Sequence, residues 1–144
     1  MAFHDAFDAG VSLFGIGDLA ALEAMTHKFE SRYVDVLVGP GPDRAATLRE
    51  RSPIHHVDRI DRPILLLQGA EDKVVPPNQA EDMAAALDAR GVPHALLIFE
   101  GEGHGFRRAD SQRRSYEAEL AFLGSVFGFT PAGSVPELDI RHGS

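Results

Sequence analysis

Pro63-Ile64-Leu65-Leu66-Leu67-Gln68-Gly69-Ala70-Glu71-Asp72 opens on a proline, runs through four consecutive aliphatic residues and breaks at a glycine. A continuous apolar run of that length, bounded by Pro and Gly, reads as a strand buried on both faces. Pro76 and Pro77 suit the first turn of a following helix, where a missing N–H costs nothing. Ala80, Met83, Ala84 and Leu87 then recur at i, i+3, i+4 and i+7, and Gly91 supplies the stop. Ala95-Leu96-Leu97-Ile98-Phe99 is a second uninterrupted strand. Strand, helix, strand, with both strands apolar throughout, predicts an α/β fold: a parallel sheet with helices on both faces.

On the C-terminal side, Asp110 is expected to cap a last long helix with Tyr116, Leu120, Leu123 and Phe127 at helical spacing. Residues 130–144 hold Pro131, Gly133, Pro136 and Gly143 and read as a tail or linker, leaving 1–129 as the folded portion. On the N-terminal side, residues 9–16 form a short apolar run between glycines, read as a buried strand. Asp18 can cap a helix carrying Leu19, Leu22 and Met25 on one face. Residues 28–42 mix charges with Tyr33, Val36 and Leu37 and end in a loop, Gly39-Pro40-Gly41-Pro42. A short helix from about Asp43 to Arg51 stops before Ser52-Pro53, because a residue preceding proline avoids helical geometry.

The whole-chain figures fit one soluble unit. The 144 residues are 44% hydrophobic and 25% charged, too apolar for a disordered chain. The net charge of -8 argues against a nucleic-acid backbone or an anionic membrane surface as the main partner. With no cysteine, disulfides, thiolate metal sites and cysteine nucleophiles are excluded. No apolar run approaches the ~20 residues that span a bilayer. The first residues carry neither a basic region nor an apolar signal core, so a cytoplasmic protein is expected.

In parallel sheets chemistry gathers in the loops beyond the carboxyl ends of the strands. The first such loop carries Asp72; the second reads Glu100-Gly101-Glu102-Gly103-His104-Gly105-Phe106. Asp72 and His104 therefore occupy corresponding positions at the ends of successive strands, where their side chains can meet. A carboxylate that holds a histidine ring fixes its tautomer and stabilises the imidazolium formed on proton uptake. Glycines around His104 allow a tight turn that leaves the ring accessible. The plainer alternative is a turn-capping aspartate and an exposed loop histidine.

Ser52-Pro53-Ile54, then Pro63 to Asp72, then Gly101-Glu102-Gly103-His104-Gly105-Phe106, in that order, resemble the C-terminal part of the catalytic domain of the prolyl oligopeptidase family of serine peptidases. The likeness is to its acylaminoacyl-peptidase and dipeptidyl-aminopeptidase-like bacterial members, and it runs from about Phe3 to Phe129. It implies a partial α/β-hydrolase fold, in which triad residues follow the chain order Ser, Asp, His. By the resemblance Asp72 is the triad acid and His104 the triad base. Several relatives carry Arg or Asn just after the acid to hold a substrate carbonyl; Lys73 and Val74 stand here, and Val74 supplies no such bond.

The family's nucleophile sits in a G-x-S-x-G turn between strand and helix. No such sequence occurs in the chain: Ser12 has Gly10 before it but Phe14 where the second glycine belongs, and Ser125 follows Gly124 within a predicted helix. Ser52 belongs to the Ser-Pro pair and is expected to be structural. The expectation is thus the last third to half of a hydrolase domain, with the N-terminal strands, oxyanion loop and nucleophile elbow absent.

The other candidates are weaker. His55-His56 with Asp58 lack a third ligand at regular spacing, so no metal is expected, and no cofactor. Glu71 and Glu100 read as exposed loop acids, the alternative being that they tune the histidine's basicity. Arg107-Arg108 with Arg113-Arg114 reads as a solvated helix face paired with Glu117 and Glu119 rather than a nucleic-acid patch. Two functions follow: a segment of a serine peptidase acting on short peptides and supplying acid and base, inactive alone, or a non-catalytic α/β module used in binding or assembly. An esterase-like hydrolase fragment is a third option. The expected partners are a peptide substrate in the complete enzyme and either the missing N-terminal part or a second copy along an open sheet edge, with no nucleic acid and no membrane.

Overall fold

The computed structural model describes residues 1–25, 36, 38–39 and 41–143. The mixed stretch expected over 28–35, Leu37, and Pro40 of the expected loop lie outside the described residues. Eight regular elements are described in chain order: strand β1 (Gly10–Leu13), helix α1 (Leu19–Met25), helix α2 (Arg44–Glu50), a 3-10 turn (Pro53–Arg59), strand β2 (Ile64–Gly69), helix α3 (Asn78–Ala89), strand β3 (His94–Phe99) and helix α4 (Ala109–Phe127). The strands form one parallel sheet in the order β1-β2-β3, with Gly10 opposite Ile64 on one side and Ile64 opposite His94 on the other.

β2 is central and buried along its whole length, which is why its sequence does not alternate. Its side chains still point alternately to opposite faces. Ile64 and Leu66 meet Met83, Ala84 and Leu87 of α3 together with Val57 and Ile60. Leu65 and Leu67 meet Ala95, Phe99 and, from α4, Ala118 and Phe122. Two hydrophobic layers thus sandwich the sheet between α3 and α4, the partial α/β-hydrolase arrangement that the sequence predicts.

Local signals explain most boundaries. The Asp18 carboxylate accepts the Ala20 and Ala21 N–H groups at 2.9 and 3.1 Å, capping α1. Fully buried Ser52 donates its hydroxyl to the Leu48 carbonyl (2.7 Å) and accepts the Leu19 N–H (2.9 Å). It fastens the end of α2 to the start of α1, a structural part. The Pro76 and Pro77 carbonyls accept the Gln79 and Ala80 N–H groups, so the prolines precede α3 by one turn's worth of bonding.

α4 departs from expectation twice. Its N-cap residue is Arg108, and Asp110 lies inside the first turn, where it pairs with Arg108 at 2.8 Å and accepts the Ser111 N–H. Its buried face is Ser111, Ser115, Ala118 and Phe122; of the expected stripe, Leu123 packs against the core, whereas Tyr116, Leu120 and Phe127 are exposed. The two stripes are neighbours, one residue and about 100° apart round the helix. Small serines and an alanine let α4 approach the sheet, and Ser115 satisfies its hydroxyl on the Gln112 carbonyl at 2.8 Å. A count of apolar residues cannot register that face.

Residues 130–143 contain no named helix or strand, yet they return to β3. Arg141 and His94 exchange backbone N–H···O bonds of 2.8 and 3.0 Å, and Leu138 and Ile140 pack against the α4-side core. Asp88 on α3 binds Arg141 at 3.5 Å and His142 at 3.0 Å. The His142 hydrogen bond and the nearby Arg141 charge hold the Asp88 carboxyl below its ordinary range. Among the described residues, no helix is long and apolar enough to cross a membrane.

Candidate active site

β2 and β3 end side by side, Gly69 opposite Phe99, and the loops that follow them are stitched together. The Ala70 N–H donates to the Phe99 carbonyl (3.0 Å) and the Glu71 N–H to the Glu102 carbonyl (2.8 Å). Gly69 is required here: a Cβ at this position would stand 2.3 Å from the Gly103 carbonyl oxygen and 2.6 Å from that of Glu102. Asp72 and His104 are carried on these two crossing loops.

The Asp72 carboxylate is buried and every direction around it is used. Oδ1 accepts the Val74 and Val75 N–H groups, each at 2.9 Å. Oδ2 accepts Gln68 Nε2 at 3.1 Å and His104 Nδ1 at 2.9 Å. A carboxylate only accepts, so His104 Nδ1 carries the hydrogen, and in the neutral ring Nε2 is left as the acceptor. The His104 side chain is 43% exposed. The Phe14 ring stands 5.3 Å from the imidazole, centroid to centroid, and is itself packed edge-on to Phe106 at 4.8 Å, with Phe99 behind. The site is therefore an oriented imidazole with one nitrogen engaged by a buried anion, an aromatic wall beside it, and an accessible edge. That arrangement can take up and return a proton.

Three residues missed in the sequence complete it. Gln68 is fully buried; its amide donates to Asp72 and, at 2.9 Å, to the Val75 carbonyl, while its Oε1 has no partner among the described residues. Two acceptors set the orientation of the amide. Glu102 is 2% exposed, and its carboxylate accepts the Arg107 and Arg108 N–H groups, each at 2.9 Å. Those N–H bonds, against the opposing effect of burial, hold its carboxyl below the ordinary range. Phe14 follows β1 with φ of 53°, a left-handed conformation rare for a bulky residue. A polar residue inside an apolar run was a usable signal for Gln68; nothing local marks the other two.

The remaining candidates separate. Glu71 and Glu100 are exposed. His55 faces Asp18 at 3.9 Å and His56 bonds the Glu50 carbonyl at 2.8 Å, so the adjacent rings serve different partners. Ser12 lies within β1 opposite Leu66.

Residues 1–130 match the prolyl oligopeptidase family. The chain is 30% identical over 129 residues to dipeptidyl aminopeptidase BIII of Pseudoxanthomonas mexicana, an alignment covering 86% of this chain and 19% of that protein. It is 30% identical over 79 residues to the acylamino-acid-releasing enzyme of Rattus norvegicus, covering 55% of this chain and 11% of that one. Among solved structures, a Mycobacterium tuberculosis puromycin-hydrolyzing peptidase superposes with a TM-score of 0.91 at 48% identity, over 97% of this chain and 21% of that one. The chain thus spans about a fifth of the first and third of these relatives and about a tenth of the second. It belongs to the prolyl oligopeptidase family.

Proposed function

We propose, from that membership, that Asp72 and His104 are the acid and base of a serine peptidase site whose nucleophile lies outside these 144 residues. In the assembled enzyme His104 Nε2 takes the proton of a serine hydroxyl as its oxygen attacks a peptide carbonyl. The protonated ring passes that proton to the leaving amine, and an acyl-enzyme remains. His104 then removes a proton from water as it attacks the acyl group, and the ring returns that proton to the departing serine oxygen. Asp72 stays ionised throughout, holding Nδ1–H and stabilising the imidazolium. The observation that carries this reading is the 2.9 Å bond between His104 Nδ1 and a buried Asp72 that, among the described residues, no other cation engages.

The substrates in this reading are short peptides. Puromycin joins the assay because the 48%-identical relative hydrolyses it. The purified chain is assayed alone on free-amine and acylated peptides and on puromycin. It is then mixed with a polypeptide that supplies a strand and a G-x-S-x-G turn. Alone, the chain should show no enzyme-like turnover, since losing a serine protease's nucleophile costs on the order of 10⁶ in turnover. Mixing should restore activity that His104→Ala abolishes. Turnover by the homogeneous chain alone would defeat the proposal. Silence in both, with a stable self-assembly along the open side of β1, would favour the second reading, a non-catalytic assembly module.

A further inference from the structure

We infer that Glu102 is a positioning residue that sets His104 against Asp72, a role resting on the acid–base reading above. Its backbone and its side chain are anchored to different parts of the site. The Glu102 carbonyl accepts the Glu71 N–H of the acid loop at 2.8 Å, and its own N–H reaches the Phe99 carbonyl at the end of β3 at 3.3 Å. Its carboxylate accepts the N–H groups of Arg107 and Arg108, the two residues that lead into α4, at 2.9 Å each.

His104 lies between these anchors. Residues 103–106 form a narrow turn, closed by a Gly103–Gly105 bridge and by Gly105 at φ 115°. A turn built from two glycines has little stiffness of its own. Both of its ends are held by one residue, with the acid loop at the near end and the helix start at the far end. The orphan N–H groups at a helix entrance require acceptors, and an anion is favoured there by the helix dipole. The depressed carboxyl pKa agrees with a charged Glu102 in that place. Releasing the carboxylate would leave the far end held only by the Gln112 amide on the Phe106 carbonyl (2.9 Å) and by the packing of the Phe106 ring on Phe14 and Phe99, a looser hold on His104.

The test uses the 144-residue chain with ¹⁵N-labelled histidine, in Glu102→Ala, Glu102→Gln and Asp72→Asn. Long-range ¹H–¹⁵N correlations report which ring nitrogen carries the hydrogen. The original chain should show His104 as the Nδ1–H tautomer, although a free neutral imidazole side chain in water favours Nε2–H. Glu102→Ala should lose that preference, while the backbone amide spectrum of β2, β3 and α3 stays in place. Glu102→Gln keeps an acceptor oxygen for one of the two N–H groups and should recover part of the preference. A purely structural Glu102 would alter stability without moving the tautomer. If the alanine variant does not fold, the glutamine variant, with amide exchange across residues 103–106, carries the test. Unchanged His104 nitrogens in folded Glu102 variants, alongside a changed tautomer in Asp72→Asn, overturn the inference alone. An unchanged tautomer in Asp72→Asn overturns the acid–base pair, and the inference with it.

Discussion

Asp72 is the residue on which the site turns, and its four acceptor contacts fix what a substitution does. In Asp72→Asn the remaining oxygen can still receive the Val74 and Val75 N–H groups. The new NH₂ would then face two other donors, Gln68 Nε2 and His104 Nδ1–H. Gln68 Nε2 keeps the Val75 carbonyl, so the new NH₂ and the Nδ1–H of His104 are left facing each other as donors, a buried polar contact left unsatisfied at ~1–3 kcal/mol. Urea denaturation should show a loss of that order, with His104 turned away from residue 72. At this scale the strand-end positions placed Asp72 and His104 where their side chains can meet, and the two do bond at 2.9 Å, whereas their roles as acid and base came only through the family resemblance. Glu102 and Phe14 were silent for a physical reason. Their partners lie across loop crossings or are backbone N–H groups, and neither the spacing nor the type of a residue encodes those.

Elements were legible in proportion to how apolar their buried faces are. β2 and α3 bury Leu, Ile, Met and Ala, and their sequence pattern is the structure's pattern, while β3 buries His94, Ala95 and Phe99 and leaves Leu96, Leu97 and Ile98 half-buried. α4 buries two serines and an alanine beside Phe122, so its apolar count points one stripe away from the sheet. Phe122→Ala should therefore cost about 3–5 kcal/mol, the range for truncating a buried aromatic, whereas Leu120→Ser and Tyr116→Ser should fall within about 0.5 kcal/mol of the parent as surface changes. Thermal unfolding of the three variants separates the two faces. The entrance to α4 carries a pH dependence of its own. The folded-state pKa of Glu102 lies below its ordinary value of 4.5, so its contribution to stability is complete above that value and fades as pH falls through the lower, folded pKa. Glu102→Gln lacks this contribution. The stability difference between the parent and the variant should be constant at neutral pH and shrink once the pH drops below about 4.5; a difference that widens on acidification would contradict the assignment.

At the scale of the whole chain, the open question is the free side of β1. In a parallel pair the backbone groups of alternate residues point to the same neighbour. Gly10 and Phe14 donate to β2, through the Pro63 and Leu67 carbonyls at 2.9 and 3.0 Å. Val11 and Leu13, of the opposite parity, therefore turn their N–H and C=O groups outward, where the described sheet has no further strand. Leu13 is 47% exposed on that edge. Unpaired strand edges with apolar side chains invite another chain. The isolated polypeptide should thus self-associate with increasing concentration, as measured by sedimentation velocity. Leu13→Pro supplies a clean control: proline removes an outward N–H that β2 does not use and places a ring where an added strand would pair. The variant should keep its helical circular dichroism and sediment as a monomer. In the mixing assay the same substitution should also reduce activity if the nucleophile-bearing strand docks on this edge. A monomeric parent at every concentration, together with activity on mixing that Leu13→Pro leaves untouched, would move the docking surface away from β1.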